Sequence, residues 1–188
     1  MSELFIRTAQ KSDAAAILEI YQPYVSQSTV TFETVTPSLA EIEHRILHTL
    51  TNYPYLVGEI DGQIIGYAYA RRFRERQAYA STAEMSLYLD RTIRGKGYGQ
   101  LLLSALENAL QDRGISNLIS IVEASNYGSL KFHEKNGFIR SGFLARVGYK
   151  FDQWLDIHIL SKALTSDQPI ISFQDFTPSK DTITKMTD

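Results

Sequence analysis

The sequence contains no cysteine and no long apolar run, and each absence excludes a class of protein. Without cysteine there can be no disulfides, no thiol nucleophile and no Cys-ligated zinc or iron–sulfur site. No segment approaches the roughly 20 apolar residues that cross a bilayer, and the opening MSELFIRTAQ lacks the basic and apolar regions of a signal peptide. We therefore predict a cytoplasmic protein with no membrane partner.

An excess of charge of one sign is also lacking over most of the chain. Residues 1–164 carry 17 Lys and Arg against 17 Asp and Glu, so the net charge of −2 comes from the last 24 residues. A neutral body argues against nucleic acid as a partner. Positive charge is nevertheless concentrated within residues 71–76 and 91–96, which suggests that these two segments bind small anions.

The length of 188 residues suits one domain, and a hydrophobic content of 44% is enough to fill a core. In STAEMSLYLD (residues 81–90) apolar and polar side chains alternate, so Met85, Leu87 and Leu89 share one face of a strand. Strands alternate with helices along the chain before a final hairpin. This order predicts an α/β domain over residues 1–164, with a central mixed, mostly antiparallel sheet flanked by helices, and a polar tail over residues 165–188.

Two local signals predict where elements begin and end. Asp61-Gly62, between YLVGEI and QIIGYAYA, is a pair that closes two-residue hairpin turns. Ser38 and Glu41 have the spacing of a capping box at the start of a helix. The buried side of that helix is predicted from its spacing to carry Leu39, Ile42, Ile46 and Leu50.

The segment Arg94-Gly95-Lys96-Gly97-Tyr98-Gly99 lies between the predicted strand and a well-patterned helix. At such a junction the unpaired N–H groups and the dipole of the helix favour a bound phosphate. The glycine spacing fits neither the Walker loop nor the dinucleotide-binding fingerprint. A tight turn that happens to be rich in glycine is the alternative interpretation.

Arg94, Gly97 and Gly99 match the pattern R/Q-x-x-G-x-G/A, and in this respect the sequence resembles the GCN5-related N-acetyltransferases (GNAT). The resemblance covers about residues 3–162. It is closest to the branch that acetylates phosphinothricin and methionine sulfoximine. The motifs that carry this closer resemblance are TFET (31–34), RQAY (76–79), AEMSLYL, ASNYGSLKFHEKNGF and KFDQWLD.

The resemblance implies acetyl-CoA as co-substrate and no metal. His44, His48 and His158 also have no companions at metal-ligand spacing. In the family, the glycine loop takes the pyrophosphate, a strand binds the pantetheine arm, and an asparagine at a helix start touches the cofactor. The positions that match in this sequence are Leu87, Tyr88, Leu89, Arg94, Gly95, Lys96, Gly97, Tyr98, Gly99, Gln100 and Asn126.

Two residues are candidates for proton transfer. Glu84 interrupts an apolar strand and is the first choice for a base or a water relay, with an ion pair to a neighbouring arginine as the alternative. His133 stands where many family members have a tyrosine that is thought to protonate coenzyme A. Its imidazole titrates near neutrality, but a buried structural histidine is an equal alternative. Tyr127 and Tyr88 are further possible proton donors.

The acceptor is predicted to bind at Arg74 and Arg76, with Tyr79 beside them and Phe32 lining the pocket. Guanidinium groups bind carboxylates with two hydrogen bonds, although a solvated loop would explain the arginines equally well. The resemblance implies transfer of acetyl to the α-amine of a small amino-acid-like acid by a homodimer. The alternatives are acetylation of a protein N-terminus or an aminoglycoside, or a non-catalytic acyl-CoA-binding sensor.

Overall fold

The computed structural model describes residues 4–93 and 95–164. Arg94 and the predicted tail, residues 165–188, lie outside the described residues. Within the described part, the β-strands are β1 (Phe5–Thr8), β2 (Tyr55–Ile60), β3 (Gln63–Arg72), β4 (Thr82–Leu89), β5 (Asn117–Glu123), β6 (Ile139–Lys150) and β7 (Gln153–Ala163). The α-helices are α1 (Ala14–Gln27), α2 (Leu39–Leu50), α3 (Tyr98–Gln111) and α4 (Tyr127–Lys135).

All seven strands form one sheet in the order β1-β2-β3-β4-β5-β7-β6. Every neighbouring pair in it is antiparallel except β4 and β5, which run parallel because α3 connects them. The prediction of one mixed, mostly antiparallel sheet flanked by helices is confirmed. The single parallel pair lies at the centre of the sheet.

Helices cover both faces of the sheet and produce two cores. One core joins α3 and α4 to the sheet, with Leu102 and Leu106 packed against Met85 and Leu118. The other joins α1 and α2 to the opposite face and is rich in tyrosine. The alternation predicted for β4 is confirmed, because Met85, Leu87 and Leu89 contact the first core whereas Tyr88 contacts the second.

The predicted turn and cap are both present. Asp61 and Gly62 have φ angles of 51° and 78°, as a tight hairpin turn requires. Ser38 begins α2, and its hydroxyl accepts a hydrogen bond from the backbone N–H of Glu41 at 3.2 Å. The prediction that Leu39 is buried was wrong, since 45% of it is exposed. Helical side chains tilt toward the N-terminus, so Leu39, the first residue of the helix, projects beyond the packed surface.

In the described ranges, no helix combines the length with the apolar character that crossing a bilayer requires.

Candidate active site

The two strands of the central parallel pair, β4 and β5, separate along their length and leave an open cleft between them. β4 and β5 are paired only at Thr82↔Asn117, Ala83↔Leu118 and Glu84↔Ile119, although each strand continues beyond this point. The cleft that results is open to solvent. It is lined by Val30, by residues 85–88 of β4 and 120–123 of β5, and by Asn126, Ser129 and His133.

Along this cleft, β4 directs the backbone hydrogen-bonding groups of alternate residues away from β3. The Asp90 N–H donates to the Ile65 carbonyl of β3 at 2.8 Å. In this register Tyr88 and Ser86, at every second position before Asp90, also hydrogen-bond to β3. Bonded and non-bonded residues alternate in an antiparallel pair, so Leu87 and Leu89 direct their N–H and C=O groups to the opposite edge. The Leu89 carbonyl there accepts a hydrogen bond from the Tyr24 hydroxyl at 2.6 Å. Tyr88 bonds to β3 and lines the cleft with its ring.

The glycine loop lies where β4 leads into α3. Gly95 and Gly97 have φ angles of 77° and 80°, which favour glycine, and Gly97 is the N-cap of α3. Gly99 is buried between Leu89 and Phe132, where a Cβ would lie 3.3 Å from the Leu89 side chain. The loop therefore leads directly into a helix N-terminus at the open end of the cleft.

The remaining predicted residues of this loop differ in exposure. Lys96 and Gln100 are exposed, whereas Tyr98 packs partly against the first core. Arg94 lies outside the described residues, so its predicted contact with phosphate stays a prediction. The exposed Lys96 adds positive charge beside the N-terminus of α3, and both features favour an anion.

Helix α4 supplies the second wall of the cleft. Asn126 is its N-cap, and the side-chain oxygen accepts a hydrogen bond from the Ser129 N–H at 3.2 Å. The predicted capping role is therefore present, and the same residue lines the cleft. One turn later come Ser129 and His133, which face the cleft from the same side of the helix.

His133 is buried, with 5% of its surface exposed, between the edges of Phe132 and Phe138. Its Nδ1 lies 2.8 Å from the Ser129 carbonyl, so Nδ1 carries the proton and donates it there. Nε2 is then a bare lone pair, and it finds no hydrogen-bond partner among the described residues. Burial lowers the pKa of His133 below its ordinary value of 6.5, against the raising effect of the Ser129 hydrogen bond. The imidazole is therefore neutral at pH 7.

Glu84 lies at the closed end of the cleft, on the other face of the sheet. It is paired across the strands with Arg71, whose guanidinium donates to the Glu84 carboxylate through both Nε and Nη2. The ion pair that the sequence left as an alternative role is thus formed. One of its carboxylate oxygens accepts both arginine bonds, and within residues 4–93 and 95–164 the other has no hydrogen bond, so the predicted proton-transfer role stays a prediction.

A floor of tyrosines continues from Glu84 along the same face. Tyr69 is opposite Ser86 in register, and Tyr67 is opposite Tyr88. The Tyr69 ring stacks on that of Tyr55 in β2 with centroids 4.9 Å apart, and the Tyr88 ring meets that of Tyr21 in α1 edge to face at 5.1 Å. Burial raises the pKa of Tyr21 to about 12, and it also raises the pKa values of Tyr67 and Tyr88 well above the ordinary value of 10. The floor is uncharged, and Ser86 on the same face lines the cleft.

The predicted acceptor residues lie in two places. Arg74, Arg76 and Tyr79 are exposed in the loop between β3 and β4, and Phe73 of that loop contacts both Arg74 and Tyr79. Phe32 lies instead in the segment between α1 and α2, against Gly148 of β6. The loop follows the Arg71–Glu84 pair, so its arginines stand at the closed end of the cleft.

Sequence reasoning missed several residues that the structure brings to the cleft. Ser86 and Tyr69 are neighbours of Glu84, and alternation along β3 and β4 could have placed them on its face. Ser129, one turn before His133, could have been found from helical spacing. Glu123 carries no local signal, because its role depends on contacts with residues distant in sequence. The described residues contain no cluster of three or more metal-ligating side chains.

Comparison with known proteins identifies the family. Residues 6–159 match the acetyltransferase (GNAT) domain. The chain is 36% identical over 163 residues to phosphinothricin N-acetyltransferase of Alcaligenes faecalis, covering 86% of this chain and 83% of the relative. It is 34% identical over 163 residues to L-methionine sulfoximine/L-methionine sulfone acetyltransferase of Salmonella typhimurium, covering 85% and 94%.

A solved structure agrees with these relatives. It is a GNAT superfamily phosphinothricin acetyltransferase from Sinorhizobium meliloti in complex with acetyl-CoA, with a TM-score of 0.82 and 33% identity over 94% of this chain and 93% of that one. The resemblance that the glycine loop and the short motifs indicated is confirmed. From the matched domain, the relatives and the split sheet together, we conclude that the chain belongs to the GNAT acetyltransferase family.

Proposed function

We propose that the domain spanning residues 1–164 transfers acetyl from acetyl-CoA to the α-amine of a small amino-acid-like acid. The observation that carries the proposal is the cleft between β4 and β5, which offers the separated backbone edge of β4 and a helix N-terminus at its open end. Relatives named for phosphinothricin and methionine sulfoximine, at 36% and 34% identity, support this acceptor class.

The residues present fit acetyl-CoA. The edge of β4 at Leu87 and Leu89 can hydrogen-bond an extended arm as a neighbouring strand would. The N-terminus of α3, with Gly97 as its cap and Lys96 beside it, can hold the pyrophosphate. Asn126 faces the cleft from the other wall. Acetyl-CoA, when bound, supplies a thioester carbonyl that an uncharged amine can attack.

Proton transfer is divided between the two faces of the sheet. The acceptor arrives as an ammonium and must lose a proton before it can attack. Glu84 lies on the tyrosine-lined face and receives that proton, directly or through water. His133 lies on α4, where the bare lone pair of Nε2 can take the second proton that the amine nitrogen loses as the amide forms and return it to the leaving sulfur. The Ser129 carbonyl holds the ring in the tautomer that this requires.

The acceptor binds over Ser86, between the tyrosine floor and Phe32. Arg74 and Arg76 stand at the closed end of the cleft, where a guanidinium can bind the carboxylate of the acceptor with two hydrogen bonds. Arg71 is held by Glu84 and is not free for this task. The non-catalytic sensor is disfavoured because the domain carries two candidate proton-transfer groups, His133 lining the cleft and Glu84 at its closed end. The location in the cytoplasm stays a prediction from the sequence.

We also propose that the enzyme is a homodimer. Seven of the fourteen exposed large apolar residues of the described chain lie within residues 139–154, on β6, β7 and their turn. Because each of these side chains is about half exposed, together they present roughly 700 Å² of accessible surface. Each partner of a standard protein–protein interface buries about 800 Å². β6 is also an edge strand of twelve residues, and such edges are normally covered.

The glycine loop can be tested with a matched pair of variants. Gly97→Val places a branched side chain at φ 80° beside the predicted pyrophosphate, so the KM for acetyl-CoA should rise at least about tenfold. Gly62→Val introduces the same strain at φ 78° in the distant hairpin turn and should leave that KM unchanged. Equal KM values in folded Gly97→Val and wild type would remove the loop from the cofactor site.

The proton path can be tested at Glu84. Glu84→Gln should lower kcat by roughly 100-fold, the scale of general-base help, and the loss should shrink as pH rises because more acceptor amine is already uncharged. Glu59→Gln is the control, since it breaks a comparable ion pair with Arg7 on the same sheet. A Glu84→Gln enzyme with wild-type kcat across the pH range would contradict the assignment.

The acceptor class can be tested by measuring thiol release from acetyl-CoA with a panel of amines. Methionine sulfoximine, methionine sulfone and phosphinothricin should react, whereas amines without the carboxylate, an aminoglycoside and an N-terminal peptide should react poorly.

Arg74→Lys and Arg76→Lys keep the charge but lose the planar fork, so kcat/KM for methionine sulfoximine should fall roughly 10- to 150-fold with the KM for acetyl-CoA nearly unchanged. Arg140→Lys, an exposed arginine on β6, is the control. Wild-type kinetics in both variants would show that the arginines are only surface charge.

The dimer can be tested by light scattering on the protein as it elutes from a sizing column. Wild type should have twice the 21.3 kDa of one chain. Phe143→Glu should shift it toward the monomer, because a charge in an apolar interface is poorly solvated, whereas Val35→Glu in the exposed loop should not. A monomeric wild type at assay concentrations would contradict the proposal.

A further inference from the structure

Helix α1 and the segment that follows it together contact both halves of the divided sheet. We call residues 28–32 the strap. Just before it, the Tyr24 hydroxyl donates to the Leu89 carbonyl of β4. Within it, the Thr29 hydroxyl donates to the Glu123 carboxylate of β5 at 3.2 Å, and Val30 lines the cleft. The strap therefore crosses the point where β4 and β5 have separated.

Two buried charges of opposite sign hold the strap. Glu123 is 6% exposed, and besides Thr29 it accepts hydrogen bonds from the backbone N–H and the hydroxyl of Ser125. Lys150 is 4% exposed, and its ammonium donates to the Thr31 carbonyl at 2.8 Å. Burying a charge is unfavourable unless hydrogen bonds compensate, so each side chain favours the strap position that supplies them.

Phe32, at the end of the strap, is lodged against Gly148 of β6. A Cβ added at Gly148 would lie 2.2 Å from one carbon of the Phe32 ring and 2.5 Å from the next. The φ angle of Gly148 is not in the left-handed region, so its backbone conformation does not require glycine. The absence of a side chain at Gly148 is therefore explained by the space that the Phe32 ring occupies.

A chain of contacts links the residue before Phe32 to the tyrosine floor beside the cleft. Phe32 follows Thr31, whose hydroxyl lies 2.8 Å from that of Tyr21, and the Tyr21 ring contacts Tyr88 in the floor. Phe32 is 37% exposed, so part of its surface is left for a ligand. An acceptor bound over Ser86 would meet the strap in this direction.

We propose that the contact between Phe32 and Gly148 sets the size of acceptor side chain that the cleft admits, with Lys150 and Glu123 as positioning residues for the strap. The proposal rests on the proposed function, because it assumes an amino-acid acceptor. It makes Gly148, which is 116 positions from Phe32, a determinant of specificity. In an apolar pocket, one methylene more or less on the substrate typically changes the ratio of kcat/KM between two substrates roughly 10- to 200-fold.

The test is a series of acceptors of increasing side-chain size, from alanine through methionine sulfone and methionine sulfoximine to phenylalanine. The quantity compared is the ratio of kcat/KM for the largest and smallest acceptors that react. Phe32→Ala should shift this ratio toward the larger acceptors. Gly148→Ala should change it by roughly tenfold or more, because its Cβ displaces the ring. The KM for acetyl-CoA should stay within about twofold in both variants.

The double variant and a control separate this effect from general disturbance of the strand. Without the ring there is nothing for the new Cβ to displace, so Gly148→Ala with Phe32→Ala should match Phe32→Ala alone. Gly142→Ala on the same strand is the control, since its Cβ would meet Ile159 at an ordinary 3.6 Å, and it should behave as wild type.

The proposal would be overturned if Gly148→Ala left the ratio of kcat/KM for large and small acceptors unchanged. It would also be overturned if Gly148→Ala changed that ratio equally in the presence and absence of the Phe32 ring. If Gly148→Ala does not fold, Phe32→Ala and Phe32→Leu decide it, because an unchanged ratio in both also overturns it. A wild type that acetylates none of the amino acids would instead reject the proposed function, on which the inference rests.

Discussion

The end of hydrogen bonding between β4 and β5 after Glu84 and Ile119 is the constraint on which the site depends. Backbone groups left at a separated strand edge need other partners, and Leu87 and Leu89 direct theirs into the cleft. Because β4 and β5 are parallel, the helices that follow them, α3 and α4, both begin at the open end. One interruption in the sheet thus creates a strand edge for an extended ligand and a helix terminus for its phosphates.

The opening is held at a fixed width by contacts on both faces of the sheet. On one face, the core around α3 includes Met85 from β4 together with Leu118 and Val122 from β5, so both strands pack against the same helix. On the other face, the strap reaches β5 through Glu123 and β6 through Lys150. Three of the six buried polar or charged residues of the described chain, Thr31, Glu123 and Lys150, lie along this line, where their hydrogen bonds are made only if the chain folds correctly.

The sequence was sufficient for features that depend on neighbours in the chain. Alternation predicted the faces of β4, the Ser38–Glu41 spacing predicted a cap, and the glycine loop predicted a strand–helix junction. Features that depend on register or on distant contacts were not predictable. That Arg71 is the partner of Glu84 follows only from the pairing of β3 with β4. The contact between Phe32 and Gly148 joins segments that nothing local connects.

Residue-resolved amide hydrogen exchange, with and without saturating acetyl-CoA, tests the central claim most directly. Ser86 and Tyr88 already bond to β3, whereas the N–H groups of Leu87 and Leu89 point into the cleft. General stabilisation by a ligand slows exchange of all four amides by a common factor. If the arm of acetyl-CoA adds to the edge of β4, exchange at Leu87 and Leu89 slows roughly tenfold more than at Ser86 and Tyr88. The same factor at all four amides would contradict the account.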